Sequence, residues 1–132
     1  AKLIAETENV DEKCLFIIEA AALTHDIGIH LCEEKYGNCN GKLQEKEGPA
    51  IAEKLLAKLG FDRDISDRVQ YLIAHHHTYS NIDGIDYQIL VEADFLVNIM
   101  EDNLAKDAAL KAYQNIFKTA CGKMICREMF GI

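Results

Sequence analysis

Apolar residues recur at intervals of three and four along most of the chain, and this rhythm predicts helices with few interruptions. From about Asp11, the residues Leu15, Ile18, Ala22 and His25 fall on one stripe, and Gly28 ends the run. Ile51, Leu55 and Leu59, with Ala52 and Leu56, form a second buried face that opens near Gly48-Pro49 and closes at Gly60, the proline being suited to a first helical turn. Further helices are predicted from about Asp64 to His77, Tyr87 to Asp102, Lys106 to Phe117 and Thr119 to Met129. Lys2 to Glu8 reads as the tail of a helix whose beginning lies outside this chain. Ile29 to Lys46, carrying Gly37, Asn38, Asn40 and Gly41, reads as a polar loop or lid, and Thr78 to Asp86 as a loop marked by Asn81 and Asp83-Gly84. The expected fold class is therefore all-α, a helical bundle in one domain over residues 1–132.

Three polar features interrupt this pattern where it should be most apolar. The pair His25-Asp26 closes the run Ala20-Ala21-Ala22-Leu23-Thr24, so an imidazole and a carboxylate are expected to leave water together. Burying an isolated charge costs several kcal/mol or more unless it is paired, neutralised or bound to a metal. In His75-His76-His77, at about 100° per residue, His76 lies near the centre of the stripe set by Val69, Leu72 and Ile73. His77 lies on the edge of that stripe and His75 points away from it. Asp94 falls on the face formed by Leu90, Val91 and Val97, where a carboxylate needs a strong partner. His25, Asp26 and Asp94 together supply one nitrogen and two carboxylates from two helices, a set suited to a divalent Mn, Fe, Mg, Co or Ni ion with positions left for water and substrate.

Composition narrows the function classes. The 132 residues, 49% apolar and 27% charged, suffice for a core, and no apolar run reaches the roughly 18 residues expected of a membrane span. Fourteen basic against 22 acidic side chains leave a net charge of −8, which opposes binding to a nucleic acid polymer. A small phosphorylated substrate stays compatible with that charge where a bound cation supplies local positive potential. Five cysteines, odd in number and scattered, with no secretory signal, point to reduced thiols in a cytoplasmic protein with no membrane partner. The apolar C-terminal residues Met124, Ile125, Met129, Phe130 and Ile132 are free to dock on their own chain or on a second copy, which leaves a homodimer open.

Thr24-His25-Asp26-Ile27-Gly28, the inward histidines and Glu92-Ala93-Asp94, in that order, resemble the HD superfamily of metal-dependent phosphohydrolases. The likeness covers roughly Lys2 to Asp102. The segments Gly41 to Pro49 and Asp83 to Asn98 are also similar to a bacterial subgroup of that superfamily with no assigned substrate. The resemblance implies an HD-like helical bundle in which His25, Asp26 and Asp94 bind the metal. It implies that His76 and His77 act catalytically, binding a phosphate or protonating its leaving oxygen, and that Lys42 and Gln44 contact the substrate. The reaction it implies is hydrolysis of a phosphomonoester or phosphodiester such as a nucleotide.

Two positions depart from the family pattern. No histidine precedes His25, so the first family histidine is expected upstream of Ala1, on a helix this chain lacks. Gln44 stands where proteins with two metals commonly carry another histidine, so one metal per chain is expected rather than two, although Glu45 or Glu47 offers a carboxylate for a second. The alternatives are a degenerate module that binds a nucleotide or metal without turnover, a di-iron oxidation site, which needs the second metal, and a helical interaction domain whose histidines are structural.

Overall fold

A computed structural model describes all of residues 1–132 and is built from α-helices: α1 (Lys2–Thr7), α2 (Glu12–Thr24), α3 (Ile29–Tyr36), α4 (Gly41–Lys58), α5 (Arg63–His75), α6 (Ile85–Glu101), α7 (Lys106–Asn115) and α8 (Ala120–Phe130). The fold class is all-α. The chain divides into two compact units, one of residues 1–18 and 81–132, the other of residues 19–80.

The first unit holds α1, the first half of α2, and α6 to α8. Ile4, Ala5, Ile18, Ile89, Leu96, Ile99, Phe117, Cys121 and Cys126 form its core. At about 1.5–3 kcal/mol for a large apolar side chain taken from water, these contacts rather than helix propensity hold the short α1 in place. Glu92, with no exposed surface, is the polar centre of the unit. Its Oε1 accepts from the backbone N–H of Lys118 at 2.6 Å and of Thr119 at 2.9 Å, and from Gln88 Nε2 at 2.7 Å, while its Oε2 accepts from the Thr119 hydroxyl at 2.5 Å. Thr119 in turn caps α8 by accepting from the Gly122 N–H. A carboxylate seated at a helix N-terminus complements the helix dipole, so this buried charge is satisfied without any ion.

In the second unit α4 packs along α5. The packing is close because glycine sits at the contact. A Cβ on Gly48 would fall 2.8 Å from Ile73 Cγ2, and one on Gly28 would fall 3.1 Å from the Gly48 backbone. The turn after α2 is thereby pressed against the middle of α4. Val69, Leu72, Ile73, Ala52 and Leu56 are buried, as their periodicity predicts, and so are Ala20, Ala21 and Cys32, whereas Leu55 and Leu59, expected on the same buried face, are exposed.

The polar lid expected over residues 29–46 is instead α3 followed by the first six residues of α4. Asn40 starts α4 by accepting from the Leu43 N–H at 3.0 Å, which is a stronger start signal than a proline, and Pro49 lies well inside the helix. The segment looks loop-like because only Cys32 in α3 is buried, and its polar side chains are bound to one another on the surface. Glu47 Oε1 accepts from the Tyr36 hydroxyl at 2.5 Å and from Lys35 Nζ at 3.0 Å. By length and composition Glu12–Tyr36 does reach the threshold of a membrane-crossing segment, with a hydropathy of 1.4. The chain breaks that stretch into α2 and α3 at a turn over residues 25–28.

Candidate metal centre

The second unit gathers His25, Asp26, His76 and His77 at the ends of α2 and α5. Helix α2 stops at Thr24, so His25 and Asp26 lie in the following turn. This turn corrects the expectation that Asp26 is buried: its side chain is half exposed, while that of His25 is largely enclosed. Helix α5 stops at His75 and places His76 at its cap, with no exposed surface.

Both enclosed imidazoles are oriented in the same way. His25 Nδ1 lies 2.8 Å from the Ala22 carbonyl oxygen and His76 Nδ1 lies 2.7 Å from that of Ile73. A carbonyl can only accept, so each Nδ1 carries the proton, and in the neutral ring Nε2 is a bare lone pair. His25 Nε2 faces Asp26 Oδ2 at 3.2 Å, and His76 Nε2 faces Asp26 Oδ1 at 3.7 Å. The second distance exceeds a hydrogen bond, and His76 Nε2 is a buried polar atom without a hydrogen-bond partner. A carboxylate flanked by two imidazole lone pairs calls for a shared proton or a cation. Only when the His25 ring, and after it the His76 ring, carries a second proton and donates from Nε2 is the Asp26 carboxyl held well below the usual carboxylate range.

His77 completes the group. Its ring lies 4.0 Å from that of His76, centroid to centroid, and ligand-type atoms of Asp26, His76 and His77 all fall within 4.8 Å of one another. Imidazoles whose second nitrogen donates to a backbone carbonyl are the usual form of histidine at a metal. The residues therefore fit a divalent cation of N/O preference, and they fit a thiolate-type zinc site poorly, since no cysteine belongs to the group. Comparison with protein-family models, curated proteins and solved structures finds no match.

The remaining sequence candidates are not among these grouped ligand-type side chains. Asp94 lies on α6 in the first unit and is partly buried. The face chosen for it carries buried Leu90 and Val91 but opens at Val97, which is half exposed, because α6 is enclosed on most sides only through its first two turns. The fully buried carboxylate of that helix is Glu92. His75 turns aside, stacks on Tyr71 at 4.2 Å and places Nδ1 2.7 Å from the Tyr71 carbonyl oxygen. Lys42 is exposed, and its ammonium donates to Glu45 Oε2 at 3.2 Å and to the Thr78 hydroxyl at 3.0 Å. Gln44 is buried. It donates to the Cys39 carbonyl at 2.6 Å and presents Oε1 to His77 Nε2 at 3.3 Å.

Sequence reasoning missed what surrounds His77. Glu45 Oε1 accepts from the His77 backbone N–H at 2.9 Å and from the Thr78 hydroxyl at 2.8 Å. Gly41 lies beneath the ring, where a Cβ would come within 2.7 Å of His77 Cγ. The available signal was the spacing of Gly41, Gln44, Glu45 and Gly48, which at three and four residues marks one helical face.

Proposed function

We propose that this chain is a metal-dependent phosphohydrolase of HD type, acting on a phosphomonoester or phosphodiester such as a nucleotide. The observation that carries the reading is the buried, unpartnered His76 Nε2 aimed at Asp26, in a chain whose His-Asp pair, inward histidines and Asp94 follow the HD order. When bound, a divalent cation supplies Lewis acidity toward a phosphoryl oxygen and makes water acidic enough to act near neutral pH. His76 and Asp26 would hold that cation, with His25 oriented beside them; for Asp94 a ligand role is implied by the resemblance alone. His76 is too enclosed to exchange protons with solvent, which moves it from the acid-base role to the ligand set. His77, half-buried and beside His76, lies within ligand reach of the same cation, and its contact with Gln44 orients the ring to grip a phosphate oxygen or protonate the leaving oxygen.

The test is metal content of the purified protein together with phosphate release from p-nitrophenyl esters and a nucleotide panel in Mn²⁺. Release is expected to fall by at least about a hundredfold in Asp26→Ala and in Asp94→Ala, as loss of a ligand demands. Full activity in either variant refutes the assignment. One observation favours the second reading, binding without turnover: the Lys42 ammonium is already taken by Glu45 and Thr78 rather than offered to a phosphate. Nucleotide binding by calorimetry with no product formed would decide for it.

A further inference from the structure

The first two turns of α4 hold more than a helix start requires. Gly41, Gln44 and Glu45, on one face, each meet His77 at a different point: Gly41 lies under the ring, Gln44 Oε1 faces Nε2, and Glu45 Oε1 takes the backbone N–H. Glu45 is the member that fixes the others. One oxygen binds both the His77 N–H and the Thr78 hydroxyl, and the other binds Lys42, which returns to Thr78, so the four groups form a closed network. The Glu45 side chain keeps only 9% of its surface exposed. A carboxylate that has given up most of its water while accepting two bonds from the turn after α5 constrains that turn strongly.

Helix α5 ends at His75, and the Thr78 N–H closes back on the His75 carbonyl at 2.8 Å. The His77 N–H leaves the helical ladder for Glu45. The direction in which residue 77 leaves the helix, and with it the place of the ring beside His76, is set by a side chain of another helix.

We infer that Glu45 is a positioning residue for His77: it latches the His77-Thr78 turn onto α4 and thereby sets the cation affinity and the reactivity of the centre without touching either cation or substrate. The inference rests on the metal-centre reading above for its functional consequence, and on hydrogen bonding alone for its structural one. It gives Glu45 a task other than binding a second metal, and it makes Lys42 part of the latch rather than a phosphate contact.

The test compares wild type, Glu45→Gln and Glu45→Ala in the full chain by two readouts. The first is Co²⁺ titration by calorimetry and visible absorption. Loss of such an outer contact typically weakens metal binding by about 10- to 100-fold, and that is the loss expected for Glu45→Ala. Glu45→Gln keeps an oxygen acceptor for both the N–H and the hydroxyl and is expected to stay within about threefold of wild type, a rescue that a merely acidic or metal-ligating role does not give. The second readout is the ¹⁵N resonances of the His77 ring in the metal-free protein, expected to move in Glu45→Ala and to hold in Glu45→Gln, with exposed His30 as the unchanged reference.

Equal Co²⁺ affinity in wild type and Glu45→Ala overturns the inference, as does an unmoved His77 resonance. Absence of Co²⁺ binding in wild type defeats the metal-centre reading while the resonances still decide the latch. Should Glu45→Ala fail to fold, Thr78→Val removes one of the two bonds and keeps the side-chain shape. A several-fold loss of affinity with displaced His77 signals is then expected, and no change in either overturns the inference.

Discussion

Replacing His76 by leucine separates the two things this residue does. In the metal-free chain the unpartnered Nε2 carries a desolvation penalty of about 1–3 kcal/mol, whereas the Nδ1 hydrogen bond to Ile73 contributes about 0.5–1.5 kcal/mol. The site is fully enclosed, so the leucine side chain stays out of water, against the His25 and His77 rings. The two effects nearly offset, and His76→Leu is expected to be neutral to about 2 kcal/mol more stable than wild type without metal. With metal the order reverses. A cation at one hundred times its dissociation constant adds about 2.7 kcal/mol to the form that binds it. For 132 residues unfolding with about 2.1 cal/mol/K per residue, that raises the midpoint by about 10 °C.

Thermal melts followed by circular dichroism, in EDTA and in Mn²⁺ or Co²⁺, read both halves. Wild type is expected to gain the full shift, and His76→Leu to gain none while matching or exceeding wild type in EDTA. A metal-free variant destabilised by more than about 2 kcal/mol refutes the reasoning, because it means that Nε2 is protonated and paired with Asp26 rather than bare. An equal Mn²⁺ shift in both proteins refutes it from the other side.

Three further outcomes follow from the contacts described. Gly28→Ala places a Cβ 3.1 Å from the backbone of Gly48, which cannot rotate aside, so a loss of about 1–3 kcal/mol in urea denaturation is expected, together with weaker Co²⁺ binding as Asp26 shifts on its turn. Unchanged stability would mean that α4 yields freely at this crossing. Glu92→Ala strands the N–H groups of Lys118 and Thr119 and the cap of α8, with an expected cost of about 3–5 kcal/mol, and a cost below about 1 kcal/mol contradicts its role as the polar centre of the first unit. The Tyr36 hydroxyl, and after it Lys35, hold the Glu47 carboxyl below its ordinary value of 4.5. A depressed carboxylate stabilises above its unfolded pKa, and the effect fades as pH falls through the folded value. Tyr36→Phe should therefore lower the urea midpoint at about pH 7 and converge with wild type near about pH 3, whereas a difference that persists in acid contradicts the link.

Much of the all-α architecture and the inward face of α5 can be read from residue spacing, because apolar periodicity reports burial directly: Val69, Leu72, Ile73 and His76 fall on one stripe and are all fully enclosed. The same logic misplaces Asp94 and Asp26 for a common reason. Periodicity says which side of a helix a residue takes but not where that side stops being covered. Helix α6 opens past Leu96, and α2 ends one residue before His25. The start of α4 is hidden for the opposite reason, since a face that binds polar turns and histidine rings is itself polar and carries no hydrophobic signature. Gly41, Gln44 and Glu45 look like solvated loop residues until α5 is laid against them, and then each has one partner on His77. The part of a site most easily read from sequence is thus the ligand that interrupts an apolar stripe, as His76 does. The part least easily read is the polar cradle that orients a neighbouring ligand, because its residues satisfy one another and leave nothing unpaired for a sequence pattern to betray.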